Sequence, residues 1–595
     1  MLVRATVEGS TLESVRTMDS DDQRPRKHGR PWMQALYARL GLILICLAMG
    51  GTLVAAERAT SPTTDEHLHL MRGVAWWWAD DTRLNWPHPP LGQLVAAAPV
   101  ALLSDRIPIE DLDGYDVADK RRVSLDYFAP YQVARGHLSA ARQAMIALAL
   151  LLAIYLYEWM RRRYGARVAL MTTVLYAANP VLLAHAGLMT TDFPVTFVTL
   201  ISLLQLHDYL QSRSWWRSLG LVVAVSALLI TKLTGIAVAV MLLPPAILFA
   251  ATGQGRFSGL SRRGRAWMLS RDVALTMLMG LLAVNAAYRF DDTGLTTAEI
   301  VEHQLPPNSL KKEMTEQDIV LRFWPDSIPM PVPFTYVFSA QFLKEQNGRG
   351  HAGYFLGERR PKGTPGYLAI LLGAKLPVGM IVLVIAGLGL ALSRRLRGLP
   401  FDVWLHGYFV LAYLALSFDS HINIGVRHAL VIVPSLAILA GHGANALWQL
   451  GRVPRFAALG CLASVVIGTL VAYPRFVGDF NWLVGGRSGG HWVSVIGEDW
   501  GQDVNELAKW QNQREVPVSY FTRHELRYSE IEHHGAEVHR FQCYFKPAED
   551  HWVAFHVTPR AREDRCLAPY AGREPDLVLN DHILLFRPRS EEAQR

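Results

Sequence analysis

Residues 63–91 read TTDEHLHLMRGVAWWWADDTRLNWPHPPL. The stretch follows directly on a long apolar segment, roughly Met33 to Ala56, so the acidic pair Asp65-Glu66 stands where a helix leaves a membrane. Carboxylates at that depth are costly unless they have a partner or a task. Trp76, Trp77 and Trp78 come next and are of the kind that anchor at a lipid headgroup boundary. His88-Pro89-Pro90-Leu91 then stiffens the backbone ahead of the apolar run Leu91 to Leu103. That run is too short to span and reads as interfacial or re-entrant. The stretch is either a water-exposed loop with ordinary charges or one wall of a site at the membrane surface.

Working outward, apolar runs of about 20 residues recur along the chain, the length a membrane helix needs. With 51% hydrophobic residues, a polytopic protein explains the 595-residue length better than several soluble domains. Spans are expected near 33–56, 138–160, 167–183, 193–210, a broken pair within 219–251, then 273–288, 370–392, 403–418, 428–447 and 456–473. This makes eleven. Arg24, Arg26, Lys27 and Arg30 precede the first, which reads as an uncleaved signal-anchor, with cleavage at Val54-Ala55-Ala56 as the alternative. Arg161 to Arg163, the arginines from Arg256 to Arg271, Arg394, Arg395 and Arg397, and Arg452 and Arg455 all fall on one side. Basic loops mark the cytoplasmic side. The net charge of +7 is accounted for by these loops, and nucleic acid is not the expected partner.

The expected organisation is a cytoplasmic tail over 1–32, a membrane domain over 33–473 with large outer loops at 57–137 and 289–365, and a small extracytoplasmic α/β domain over 474–595. In the last, His491 to Ile496, Val516 to Phe521, Trp552 to Val557 and Ile583 to Phe586 read as strands and Asp503 to Gln511 as a helix. Cys46 and Cys461 lie in apolar runs; Cys543 and Cys566 lie in the polar C-terminal part and are candidates for a disulfide if it is extracytoplasmic.

On this topology the outer face collects Asp65, Glu66, His88, Asp192, Lys232, Lys375, His421, Asn423, Arg427 and His428. Carboxylates and cations at headgroup depth suit a lipid that carries a phosphate: a cation pairs with the phosphate and a carboxylate deprotonates an incoming hydroxyl. Each residue also has a plainer account. Asp65 and Asp192 both stand where an N-cap would satisfy free backbone N–H groups. Lys232, in the turn Ile230 to Gly235, has the reach to snorkel to the interface. Arg427 and His428 read equally as a helix-start pair. His67, His69 and His88 have no fixed metal-ligand spacing, so no metal ligand is assigned and a divalent metal is left open.

The acidic pair after the first span, the HPPL turn, TTDFP at 190–194 and ITKLTG at 230–235 together resemble the GT-C superfamily, polytopic glycosyltransferases that use polyprenyl-phosphate sugars. GYFLGERRPKGTPGYLAILLGAKLPVG (353–379), SHINIGVRHALVIVP (420–434) and EDWGQDVNELAKW (498–510) are similar to its phospholipid carrier-dependent branch near glycosyltransferase family 39. The resemblance touches nearly the whole chain after Met33. It implies an inverting transfer from an undecaprenyl-type phosphate carrier to an extracytoplasmic hydroxyl, in a bacterial inner membrane. It implies Asp65 as base, Glu66 and Asp192 as accompanying acids, and Lys232 and Arg427 near the carrier phosphate. It leaves the sugar and the acceptor open. Lys375-Leu376-Pro377 departs from the family's usual Lys-Thr-Pro, which puts the role of Lys375 in doubt. Two other classes stay open at this level: a transporter or flippase of lipid-linked sugars, and a non-catalytic anchor for the C-terminal domain.

Overall fold

The computed structural model describes residues 31–86, 88–296, 299, 324–325, 327–393 and 399–588. The expected tail and the Arg394 to Arg397 loop lie outside these residues. The protein is an α-helical, multi-pass membrane protein with a small sheet near its C-terminus. Seven helices are long and apolar enough to cross a membrane, eight when the pair Tyr367–Lys375 and Val378–Ser393, bent by 113°, is taken as one. The expected eleven are reached when the broken helix Tyr131–Ala177 counts twice and the short apolar helices Trp215–Leu229 and Phe401–Ser417 are added. The break in Tyr131–Ala177 falls at Gly165, whose φ of 81° leaves the helical region at a position where no Cβ has to be accommodated.

Helix boundaries differ from the sequence reading where charges sit on helix ends. Arg262, Arg263, Arg265 and Arg271, read as loop, belong to the helix Arg262–Ala287, whose first turn is capped by the Ser261 hydroxyl. The third expected span ends early: helix Tyr131–Ala177 stops before Asn179, whose side chain caps the separate short helix Pro180–Ala186.

The segment 57–137 is built of helices Glu66–Trp78, Leu91–Leu103 and Lys120–Tyr127. Leu91–Leu103 packs against Glu66–Trp78 and against Tyr131–Ala177. Gly73 permits the close approach, since a Cβ there would stand 2.7 Å from the Gln93 carbonyl oxygen. Within 289–365 lie the helix Phe334–Arg349 and a hairpin of β1 (Gly353–Phe355) and β2 (Glu358–Arg360).

After the last membrane helix, Arg452–Ala472, the chain forms a five-stranded sheet of β3 (Val518–Phe521), β4 (His539–Phe541), β5 (Trp552–His556), β6 (Leu577–Leu579) and β7 (Ile583–Phe586). The order is β4-β3-β5-β7-β6, with β4, β3 and β5 parallel and β7 and β6 antiparallel. Tyr520, Ala554, Ile583 and Leu585 fill one face against Leu507 and Tyr528; Phe521, Phe555, Leu584 and Phe586 fill the other against Leu567 and Tyr570. Both faces are buried, which is why these strands read as continuous apolar runs. Cys543 and Cys566 are joined in a disulfide. His491 to Ile496 is not a strand: Gly490–Trp492 is a single 3-10 turn, and Ile496 makes only an isolated bridge with Asp499. Glycines on both sides let that segment turn rather than extend.

Candidate active site

A cavity of about 1090 Å³ opens between the ends of the membrane helices and the C-terminal sheet. It is at the upper end of the size of small-molecule sites. Of the residues singled out in the sequence, Asp65, His88, Asp192, Lys232, Arg427 and His428 line it.

Four of these form one chain of charge. An Arg427 Nη1 hydrogen donates to Asp65 Oδ2 at 2.8 Å, and the same nitrogen stands 3.9 Å from Asp192 Oδ2. Lys232 Nζ donates to Asp192 Oδ1 at 2.5 Å. Neither acid acts as a cap. Asp65 occupies the N-cap position of Glu66–Trp78 and Asp192 the first turn of Asp192–Gln211, yet neither helix has a side-chain cap bond. The plain capping account is therefore set aside by the geometry. Two carboxylates share two cations at the floor of the cavity, brought together from four distant parts of the chain. The Asp65 side chain is one-third exposed, whereas Asp192 is 4% exposed. Burial pushes the Asp65 carboxyl up, but Arg427, with smaller contributions from His69 and His67, offsets it and the net value lies below the ordinary one, so it is ionised.

Lys232 sits in a turn, between helices Trp215–Leu229 and Thr234–Met241. Gly235 lets that turn close, since a Cβ there would lie 2.1 Å from the Leu228 carbonyl oxygen. The Leu91 amide donates to the Ile230 carbonyl at 2.9 Å, which pins the HPPL turn to the lysine turn. His88 stacks on His69 with ring centroids 5.8 Å apart. Burial, with Lys232 nearby, keeps the His88 imidazole well below its ordinary value and hence neutral.

Arg427 is positioned from the C-terminal side. Its guanidinium lies 4.1 Å from the ring centroid of Trp500, a stacking that fixes a planar cation. The close approach is made by glycines: Gly425 has φ 100°, Gly497 has φ 83°, and a Cβ on Gly497 would stand 2.4 Å from the Ile424 carbonyl oxygen. Trp500 also holds the acidic loop. Its carbonyl accepts from the Thr64 amide at 3.0 Å and the Thr64 hydroxyl at 3.1 Å, across 436 positions of sequence. The Ser61 amide donates to the Gln502 carbonyl at 2.9 Å. The stretch 498–503 is thus the joint that sets Asp65 against Arg427, a role that no periodicity in its sequence signals.

Four of the residues expected on the outer face do not line the cavity. Glu66 is fully buried: Oε1 accepts from Arg142 Nε at 2.7 Å and the Met189 amide at 2.8 Å, and Oε2 from Arg142 Nη2 at 2.5 Å and the Thr63 amide at 2.8 Å. With both oxygens taken, it braces the loop and does not line the cavity. Lys375 is 2% exposed and pairs with Glu498, also donating to the Val477 carbonyl at 2.9 Å. Asn423, 4% exposed, is tied to the Thr364 backbone. His421, on the outer face, meets Asn347 instead. Lys375→Ala is expected to strand Glu498 as a buried unpaired charge, at a cost on the order of 3 kcal/mol. The measurement is thermal unfolding in lipid beside donor KM; a native melt with a raised donor KM would instead make Lys375 a phosphate ligand.

Among the described residues, the one group of three or more potential ligands with metal-site spacing is Cys543, Asp564 and Cys566, whose two sulfurs are consumed by the disulfide. The sequence reading missed Trp500, Arg142, and the cations Arg121, Lys344, Arg527 and Arg562 on the cavity wall. Cations in polar segments carry no mark that tells a cavity wall from open surface.

Residues 131–284, which carry Arg142, Asp192 and Lys232, match the family model for dolichyl-phosphate-mannose-protein mannosyltransferase. With the polytopic fold and the motifs described above, the match supports a membrane glycosyltransferase of the GT-C class, near glycosyltransferase family 39. The chain is also similar to the crystal structure of ArnT from Cupriavidus metallidurans bound to undecaprenyl phosphate. There the identity is 14% over 93% of this chain and 98% of that chain, with a TM-score of 0.44. The apo form of the same ArnT gives 14%, 93%, 98% and 0.43. The oligosaccharyltransferase of Archaeoglobus fulgidus, in complex with Zn and sulfate, gives 10% identity over 87% of this chain and 68% of that chain, with a TM-score of 0.43. No curated protein matches.

Proposed function

We propose that this protein moves one sugar from a polyprenyl-phosphate carrier to a hydroxyl group of an acceptor on the non-cytoplasmic side of a bacterial plasma membrane. The observation that carries the reading is the chain Asp65–Arg427–Asp192–Lys232 at the floor of the cavity. The matched family, named for a polyprenyl-phosphate sugar donor, supports the donor class. The arginine-rich helix ends and loops, 161–163 and 256–271, support a cytoplasmic location for the opposite face.

The donor phosphate enters as a third anion among two cations and two carboxylates. Arg427 and Lys232 turn toward it, since charge-assisted bonds to phosphate are the strong ones. This releases Asp65 from its guanidinium partner. The free carboxylate takes the proton of the acceptor hydroxyl as that oxygen bonds to the anomeric carbon. The bond from the anomeric carbon to the phosphate oxygen breaks, its electron pair remains on the phosphate, and the two cations stabilise that charge. One displacement inverts the anomeric centre. Asp192, buried and bonded to Lys232, holds the lysine in place. Neutral His88 is available to hydrogen-bond a sugar hydroxyl.

The test is transfer from a panel of radiolabelled polyprenyl-phosphate sugars by the purified protein in lipid, with membrane extract as acceptor, with and without chelator. Label that reaches the extract with one donor supports the reading and names the sugar. Carrier binding without transfer, under either condition, overturns it in favour of a transporter. Lys232→Ala and Arg427→Ala are each expected to raise the donor KM by roughly 10- to 100-fold, the loss of one charge-assisted bond of about 1.5–3 kcal/mol. An unchanged donor KM in both would remove the phosphate from this end of the cavity.

A further inference from the structure

The upper half of the cavity is walled by the C-terminal sheet. In that sheet β3 lies between β4 and β5, all three parallel. The chain therefore leaves β3 to one side, for β4, and returns on the other, for β5. The gap between the ends of β3 and β5 is a topological switch point, where open parallel sheets bind ligands outside the carboxyl ends of their strands. Here that gap opens into the cavity. Thr522, Arg523, His524 and Arg527 follow β3, and Thr558 and Arg562 follow β5; all line it.

Cations outnumber acids in this half. Asp499 is occupied by His556 Nδ1 at 2.6 Å and the Thr558 amide at 3.2 Å, and Asp564 by Arg523 at 2.8 Å. Among the described residues Asp419 and Asp499 are the lining acids of this half in no ion pair with an arginine or lysine, and the Asp499 charge is felt by Arg527 and Arg562. Against these stand the side chains of Arg121, Lys344, Arg527 and Arg562, none of them in an ion pair with a carboxylate among the described residues. Arg527 Nη2 donates to the Thr64 hydroxyl at 3.2 Å, beside Asp65, and its Nε has no hydrogen-bond partner among the described residues. A guanidinium next to the base, in no ion pair among the described residues, is placed for an anion that comes with the nucleophile.

We infer that the C-terminal domain is the acceptor-binding half of the site, and that the carboxyl ends of β3 and β5 hold an acidic group, a phosphate or a carboxylate, on the acceptor through Arg527 and Arg562. The inference rests on the glycosyl-transfer reading above. The acceptor hydroxyl then lies between this anion and Asp65, and the donor phosphate sits below on Arg427 and Lys232. Two anions in separate pockets keep donor and acceptor in order.

Two measurements test it, both on the full chain in lipid. In the first, transfer to membrane extract is followed for the wild type and for Arg527→Gln/Arg562→Gln. The acceptor KM is expected to rise at least about tenfold, with donor KM and slow donor hydrolysis unchanged and the labelled product retained on an anion exchanger. Phosphatase release of that retention identifies a phosphate; carbodiimide capping identifies a carboxylate. A shifted donor KM, an unmoved acceptor KM, or a neutral product overturns the inference. In the second, pyrophosphate and malonate are titrated onto protein saturated with polyprenyl phosphate, so that the inner cations are filled. Tighter binding of one of them to the wild type than to the double variant, by at least tenfold, supports the inference; equal binding overturns it. Absence of transfer with this binding intact would count against the transferase reading and not against the anion site.

Discussion

Asp65→Asn is expected to lower sugar transfer by about 10²- to 10⁴-fold, the range that a positioned general base contributes, while carrier binding persists. Asparagine has the same shape and its amide oxygen can still accept from Arg427, so the 2.8 Å contact and the fold are kept and only the proton acceptor is lost. Arg427 and Lys232 remain to hold the phosphate, and the donor KM should move little or fall, because one competitor for Arg427 has lost its charge. The pH dependence carries the same signature. The Asp65 pKa is depressed in the folded protein, so the carboxylate is present above its ordinary range and protonates only as the pH falls below it. The acid limb of the wild-type rate profile in the free enzyme should therefore lie under the usual carboxylate range and vanish in Asp65→Asn. Full transfer by that variant would remove Asp65 from the chemistry.

The neighbouring acid gives the opposite result. Glu66→Ala is expected to destabilise the protein by about 3–5 kcal/mol, because it leaves Arg142 fully buried without its counter-charge. Arg142 also donates to the Ser61 carbonyl at 3.2 Å, and Glu66 accepts from the Met189 amide. The pair thus ties helix Tyr131–Ala177 to the loops before Glu66–Trp78 and Asp192–Gln211, the two segments that present Asp65 and Asp192. Burial pushes the Glu66 carboxyl up, Arg142 overrides it, and the net value lies below the ordinary one. The stabilisation is present above the unfolded carboxylate range and lost as pH falls through the folded value. Thermal unfolding in lipid reads both effects. A Glu66→Ala variant with native stability and no transfer would return Glu66 to the catalytic set. Glu66→Gln, which keeps much of the hydrogen bonding, should melt between the two.

Asp65 and Glu66 are adjacent, equally acidic and equally placed after a membrane helix, and nothing in the sequence separates them. They part because Glu66 is the first residue of a helix whose buried side faces Arg142, while Asp65 is one residue earlier and turned toward Arg427. The same holds for the two lysines. Lys232 stands in a turn at the cavity and Lys375 ends a helix that packs on Glu498, although both close an apolar run.

The amino-acid sequence by itself determined the membrane helices and, in the small sheet near the C-terminus, the apolar strands β3, β5 and β7. These follow from runs of apolar residues, a local property that a bilayer or a doubly covered sheet reads directly. It also placed Asp65, Asp192, Lys232 and Arg427 among the candidates, since charged groups at membrane depth are rare enough to stand out. Only the tertiary structure decided which cation meets which acid, because that pairing is set by contacts between positions as far apart as 362 residues. It alone showed that 498–503 is bonded to the loop before Asp65 and that the strand ends of the C-terminal sheet open onto the same cavity. Burial and counter-ions assign such roles, and both are properties of packing rather than of any stretch of chain.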